Sequence, residues 1–148
     1  MIKDKTDAAD LLAQLAPWLA QNVPQIGWPI NLTKFSFGQS NPTYELVTEQ
    51  GQYVLRTQPV GILLKSAHAV DREFRVMAAL DGTAVPVPKM IVECLDTEVI
   101  GRKFFVMEKV TGKAIFDPAL ADYAAADRAR LYHKKSDILA ALATLDPV

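Results

Sequence analysis

Phe35-Ser-Phe-Gly-Gln-Ser-Asn-Pro-Thr-Tyr44, with Tyr53-Val-Leu-Arg56 after it, is the stretch from which the fold is read. Phe35 and Phe37 lie two residues apart and share one face of a first strand, and Gly38-Gln-Ser-Asn-Pro42 is a run of turn formers that reverses the chain. A second strand is expected from Tyr44 to Thr48, and Glu49-Gln-Gly51 turns it into a third that includes Tyr53 to Arg56. Side chains alternate along a strand, so Val54 and Arg56 face one way and Tyr53 and Leu55 the other. Backbone N–H groups, the Ser40 hydroxyl and the Asn41 amide are neutral donors, and Arg56 adds charge, a combination suited to a phosphate. An ordinary hairpin with a surface arginine fits the same residues. The loop holds a single glycine, so neither a Gly-x-Gly-x-x-Gly nor a Walker loop is present.

Downstream, Ser66 is placed to cap a helix over residues 67–80. At 100° per residue Val70, Phe74, Met77 and Leu80 share a face, Glu73 falls inside that face, and Asp71, Arg72 and Arg75 point elsewhere. A carboxylate within an apolar stripe is costly unless a cation meets it, and the nearest inward cation upstream is Arg56. The spacing therefore predicts an Arg56–Glu73 ion pair with the charged groups within about 4 Å. The alternative is that Glu73 reaches past the edge of the stripe into water.

Around this centre, residues 7–22 carry Leu11, Leu12, Leu15, Trp18 and Leu19 at helical spacing, a docking helix in which Trp18 is a packing anchor. Pro24, Gly27 and Pro29 form a connector. Val85-Pro-Val-Pro-Lys89 is stiff and non-helical, and it feeds a fourth strand, Met90 to Leu95, and a fifth, Lys103 to Val110. From about Pro118 the residues are helix formers, with Leu131, Ile138, Leu142 and Leu145 along one side. The order of elements suits an α+β fold: a five-stranded antiparallel sheet with one packed helix, a leading helix and a helical tail.

With 148 residues, half of them apolar, the chain is long enough for one core. Lys and Arg number 16 against 17 acidic residues and no block of like charge stands out, which argues against nucleic acid or an anionic membrane as the main partner. The charged start does not resemble a signal peptide and no apolar run approaches a bilayer span, so a soluble, cytoplasmic protein is expected. Cys94 is the only cysteine, and its apolar neighbours favour a buried thiol.

Five segments together resemble the aminoglycoside phosphotransferase and choline kinase group of kinase-like enzymes. They are Phe37-Gly-Gln-Ser-Asn-Pro-Thr-Tyr44, Tyr53-Val-Leu-Arg56, Ser66-Ala-His-Ala-Val-Asp-Arg-Glu-Phe-Arg-Val-Met77, Val85-Pro-Val-Pro88 and Phe105-Val-Met-Glu-Lys-Val-Thr-Gly112. The likeness is strongest to the branch found beside, or fused to, acyl-CoA dehydrogenases. It implies a kinase-like small lobe over residues 31–112, after an N-terminal helix and connector over 1–30, with 113–148 as the start of a helical second lobe. It implies ATP as cofactor, with Gly38, Gln39, Ser40, Asn41 and Thr43 covering the phosphates. Arg56 takes the place of the usual strand lysine and Glu73 that of its helix partner, the backbone of Glu108 and Val110 meets the adenine edge, and Val54 and Met107 are apolar walls.

The family's reaction also needs a His-Gly-Asp loop and a later Asp that holds magnesium, and neither is in these 148 residues. His68 is followed by Ala69-Val70-Asp71 and His133, on an expected exposed turn, by Lys134-Lys135-Ser136. No catalytic or metal-ligating residue is therefore assigned, and a shortened enzyme is expected, with magnesium held by residues outside this chain. The implied activity is ATP-dependent phosphoryl transfer to a small-molecule hydroxyl, the acyl-CoA link pointing to a hydroxyacyl or hydroxy-acid acceptor. The alternative is a non-catalytic nucleotide-binding or protein-docking remnant. The apolar stripe of the tail is expected to give a homodimer or a mobile segment.

Overall fold

The computed structural model describes residues 8–36, 41–61 and 69–145. The chain divides into two compact units, one of residues 1–79 with 88–109 and one of 80–87 with 110–148. The first holds helix α1 (Ala8–Asn22), a short 3-10 turn (Pro24–Ile26), strands β1 (Pro29–Lys34), β2 (Thr43–Thr48) and β3 (Gly51–Thr57), most of helix α2 (Val70–Leu80), and strands β4 (Met90–Cys94) and β5 (Phe104–Glu108). The strands form one antiparallel sheet in the order β1-β2-β3-β5-β4.

Two expectations about the start of the sheet are corrected. The first strand begins at Pro29, assigned above to a connector, and ends at Lys34, before Phe35. Proline is tolerated there because β1 is an edge strand and Pro29 is its first residue, where a missing N–H costs no ladder bond. Phe35 continues the pairing by one backbone bond to the Thr43 carbonyl, 3.0 Å, while Phe37 lies outside the described residues. The helix expected over 67–80 starts at Val70, where the Ala69 carbonyl accepts the N–H groups of Arg72 and Glu73. Ser66 and His68 lie outside the described residues.

The alternation of β3 decides which face of the sheet does what. Leu55 joins Tyr44, Leu46, Phe104 and Val106 in a core closed from above by Leu11, Leu15 and Leu19 of α1. Trp18 meets the Phe104 ring edge-on at 5.1 Å, so it is the packing anchor expected of it. The helix read as a leading segment therefore supplies one side of the main core. Its exit is sewn to the β2–β3 turn: the Trp28 N–H donates to Glu49 Oε2 at 3.0 Å, the Glu49 N–H to the Trp28 carbonyl at 3.1 Å, and Thr48 Oγ1 to the Ile26 carbonyl. Gly27 has φ +75°, and a Cβ there would stand 3.0 Å from side-chain carbons of Glu49 and Gln50, so the close approach requires glycine.

The opposite face carries Thr43, Glu45, Val54, Arg56, Phe105 and Met107, neighbours in register across β2, β3 and β5. Helix α2 covers part of it, with Val70 buried, Phe74 edge-on to Phe105 at 5.9 Å, and Glu73, Met77 and Leu80 half-buried along the expected stripe. Asp71 does not point away as the helical wheel suggested, because Lys103, just before β5, draws it in to 3.5 Å.

Glu93 sits opposite Phe105 on this face, and its Oε1 is buried without a hydrogen-bond partner among the described residues. Burial pushes its carboxyl above the ordinary value of 4.5 and Asp71 adds to the rise, while Arg75 and Lys103 oppose it. Asp71 is shifted the other way: burial alone would raise its carboxyl, but Lys103 and the backbone N–H groups of Arg72 and Asp71 hold it below 3.8. A raised carboxyl favours the fold below its unfolded value and loses that contribution as pH rises through the folded one. Glu93→Gln is therefore expected to raise Tm at about pH 7 and to lose the advantage near about pH 4, where Glu93 is itself protonated. Thermal unfolding at the two pH values checks this, and an equal shift at both would show that the charge is not the cause.

The second unit contains helix α3 (Ala125–Ala143), none of whose residues is buried. Ile138, Leu139 and Leu142 are exposed, and His133 lies within this helix rather than on a turn. Before it, the Asp117 carboxylate accepts the N–H groups of Ala121 and Ala119 at 2.8 and 2.9 Å, and these bonds lower its pKa. Among the described residues no helix is long and apolar enough to cross a membrane. Cys94 is a buried thiol, its pKa pushed up by that burial.

Candidate functional site

Arg56 and Glu73 meet as the spacing predicts. Arg56 Nε donates to Glu73 Oε2 at 2.5 Å and Nη2 to Glu73 Oε1 at 3.1 Å, a two-point fork on the carboxylate. The side chains keep 26% and 36% exposure, so the pair sits at the wall of a groove rather than in the core. Arg56 Nη1 donates to Thr43 Oγ1 at 2.9 Å, and that hydroxyl donates to the Asn41 carbonyl at 3.0 Å. Asn41 Nδ2 then donates to Glu73 Oε1 at 3.0 Å, which closes a ring through four residues of three elements and the segment before β2.

Neither Thr43 nor Asn41 was given a protein partner by sequence reasoning. For Thr43 a signal existed: a two-residue turn at Glu49 and Gln50 fixes the hairpin register, and counting back from it places Thr43 opposite Arg56. For Asn41 no signal existed, since an amide in a polar loop has many equivalent partners. Arg72 was expected to point away from the site, yet it lines the groove with Arg56, Ala69, Glu73, Val76, Met77 and Met107. A residue at the edge of a helical stripe can still bend a long side chain toward the cleft.

The groove is open and has a volume of about 610 Å³, within the range of small-molecule sites. Met107 stands directly across from Val54 on neighbouring strands, which puts both apolar candidates side by side on the face of Arg56. The Glu108 N–H is taken by the Lys89 carbonyl at 2.9 Å. Lys109, next along, is held by Glu45 and by Gln52 Oε1. Val110 is 67% exposed and belongs to the second unit. Gly38, Gln39 and Ser40 lie outside the described residues. No group of three or more His, Cys, Asp or Glu side chains suited to a metal occurs among the described residues.

A sheet of this order with an Arg–Glu pair joining its third strand to its helix is the small lobe of a kinase-like fold. The profile of the "Phosphotransferase enzyme family" matches residues 31–148, and the chain belongs to that family. A crystal structure from Ralstonia eutropha, assigned to the aminoglycoside phosphotransferases, superposes with a TM-score of 0.76 at 40% identity, covering 90% of this chain and 38% of that one. Mouse "Acyl-CoA dehydrogenase family member 11" is 39% identical over 139 residues, 91% of this chain and 18% of that protein. Arabidopsis thaliana "Probable acyl-CoA dehydrogenase IBR3" is 43% identical over 130 residues, 81% of this chain and 16% of that protein. The chain thus spans less than a fifth of either relative.

Proposed function

We propose that this chain is the nucleotide-binding part of an ATP-dependent phosphotransferase that acts on a small-molecule hydroxyl. The carrying observation is the set of Arg56. A guanidinium has five N–H donors; among the described residues Glu73 and Thr43 engage three, which leaves two on a side chain that lines the groove. A fork already fixed in place gives up little side-chain freedom when it takes a phosphate, which is the advantage of pre-organisation. Met107, backed by the buried Val54 across from it, offers apolar surface for the base beside it, and the backbone of Glu108 offers its carbonyl, since its N–H is already committed to Lys89. The names of the relatives support a hydroxyacyl or hydroxy-acid acceptor. The reading gives magnesium no ligand among the described residues.

Transfer itself is positioning plus charge stabilisation, and the 148 residues contain no His-Gly-Asp to orient an acceptor. The chain alone is therefore expected to bind ATP without turning it over. Calorimetric titration of the purified chain tests this. ATP is expected to bind with a dissociation constant of about 1 mM or tighter, a free energy of about 4 kcal/mol. Arg56→Ala is expected to weaken ATP about tenfold or more and to leave adenosine unchanged, because the lost donors are charge-assisted. Absence of ATP binding at several times that concentration, or magnesium-dependent turnover abolished by Arg56→Ala, would overturn the reading.

A further inference from the structure

The sequence offers Asn41 as one more donor for a nucleotide phosphate. Its surroundings give it different work. The residue is 3% exposed, its amide nitrogen donates to Glu73 Oε1, and its carbonyl receives the Thr43 hydroxyl. One residue further on, the Pro42 carbonyl accepts the Thr57 N–H of β3 at 2.9 Å. Residues 41–43 are thereby anchored to β3 by backbone and to α2 by one side chain.

The consequence lies at Glu73. Its Oε1 accepts two hydrogen bonds, from Arg56 Nη2 and Asn41 Nδ2, and Oε2 accepts one from Arg56 Nε. The Arg56 bonds alone leave the carboxylate free to rotate about its last torsion, carrying the guanidinium with it, because helix and strand are otherwise joined here through long side chains. The amide of Asn41 adds a bond from outside both β3 and α2, and a third bond fixes the carboxylate plane. Thr43 fixes the far side of the guanidinium in the same way. We infer that Asn41 is a positioning residue: through Glu73 it sets the orientation of the Arg56 fork, and so it ties the residue just before β2 to helix α2. It acts on phosphate recognition without touching the phosphate. This inference rests on the nucleotide reading above for its binding consequence, but not for its geometry.

Three variants test it on the full chain. Asn41→Ala removes the amide, and ATP is expected to bind roughly tenfold more weakly, the loss of one hydrogen bond to a charged group, with adenosine unaffected. Asn41→Asp places a carboxylate against that of Glu73. Its ATP affinity is expected to be low near about pH 7 and to recover on acidification, as a shared proton lets the introduced carboxyl donate where the amide did. A residue that merely filled space has no reason to show that recovery; a direct phosphate donor would show it as well, and the Glu73→Gln background and the nucleotide-free readout below separate the two. Asn41→Ala in a Glu73→Gln background is expected to add little to the loss caused by Glu73→Gln alone, because the two act in series.

A second readout needs no nucleotide. The Arg56 Nε–H resonance is expected to exchange slowly with water in the parent chain and severalfold faster in Asn41→Ala. If ATP does not bind the parent chain but this exchange difference is seen, the functional reading fails and the positioning role stands. If Arg56 Nε–H exchange is unchanged by Asn41→Ala, or if the parent chain binds ATP and Asn41→Asp shows no recovery of that affinity at low pH, the positioning role is wrong.

Discussion

Replacing Phe104 by alanine is expected to destabilise the fold by about 3–5 kcal/mol, the range for a buried ring removed from a packed core. That is a large share of the roughly 5–15 kcal/mol that holds a domain together, so the variant should be close to unfolding. The reason is specific to its face of the sheet. Phe104 is fully buried, receives Trp18 edge-on, and lies among the side chains that join α1 to β2, β3 and β5. Phe105, one residue on, is just as buried but meets α2, whose only buried residue is Val70. Truncation there leaves neighbours that can relax or admit water, so Phe105→Ala should cost less. Urea unfolding of both variants decides the point: equal losses, or a larger one for Phe105→Ala, would mean that the main core is not on the α1 side.

A double-mutant cycle of Arg56→Ala and Glu73→Ala is expected to give a coupling of about 1–2 kcal/mol in stability, short of the roughly 3–5 kcal/mol seen when one partner of a fully buried pair is removed. The discount reflects the exposure of both side chains, since water screens a pair at a groove wall. Glu73→Ala alone should be worse than Arg56→Ala alone. Removing the carboxylate takes an acceptor from both Arg56 and Asn41, whereas removing the guanidinium leaves Glu73 one donor and some access to water. Simple additivity in the cycle would mean that the two charges are solvated independently despite their contact.

These two results also mark what the sequence could and could not convey. The pair was legible because each member broke a pattern: Arg56 ended an apolar strand, and Glu73 interrupted the stripe of Val70, Phe74, Met77 and Leu80. Charges out of place on two amphipathic elements have few ways to be reconciled. The five strands were legible from turn residues and alternation, with β1 misplaced by a few residues because Pro29 reads as a breaker unless the strand is known to be an edge, while the placing of β5 between β3 and β4 was not, since no short turn joins those strands. The role of α1 was only half legible. Periodicity shows that a helix has an apolar face, but not how much of the common core that face will close. Asn41 was least legible of all, since its meaning depends on a carboxylate 32 positions away.

The closure of the core by α1 bears on where the folding unit begins. The recognised family span starts at residue 31, whereas the core starts at Leu11 and is carried on by Leu15, Leu19, Val23 and Ile26 before that span opens. The seam at Gly27, Trp28 and Glu49 lies across the same line. A fragment cut at residue 31 would keep the Arg56–Glu73 pair intact on paper and yet present Tyr44, Leu46, Leu55 and Val106 to water, beside a β1 shortened at an unguarded sheet edge. The border that similarity draws and the border that burial draws are different lines, and only the second takes in the helix that closes the core.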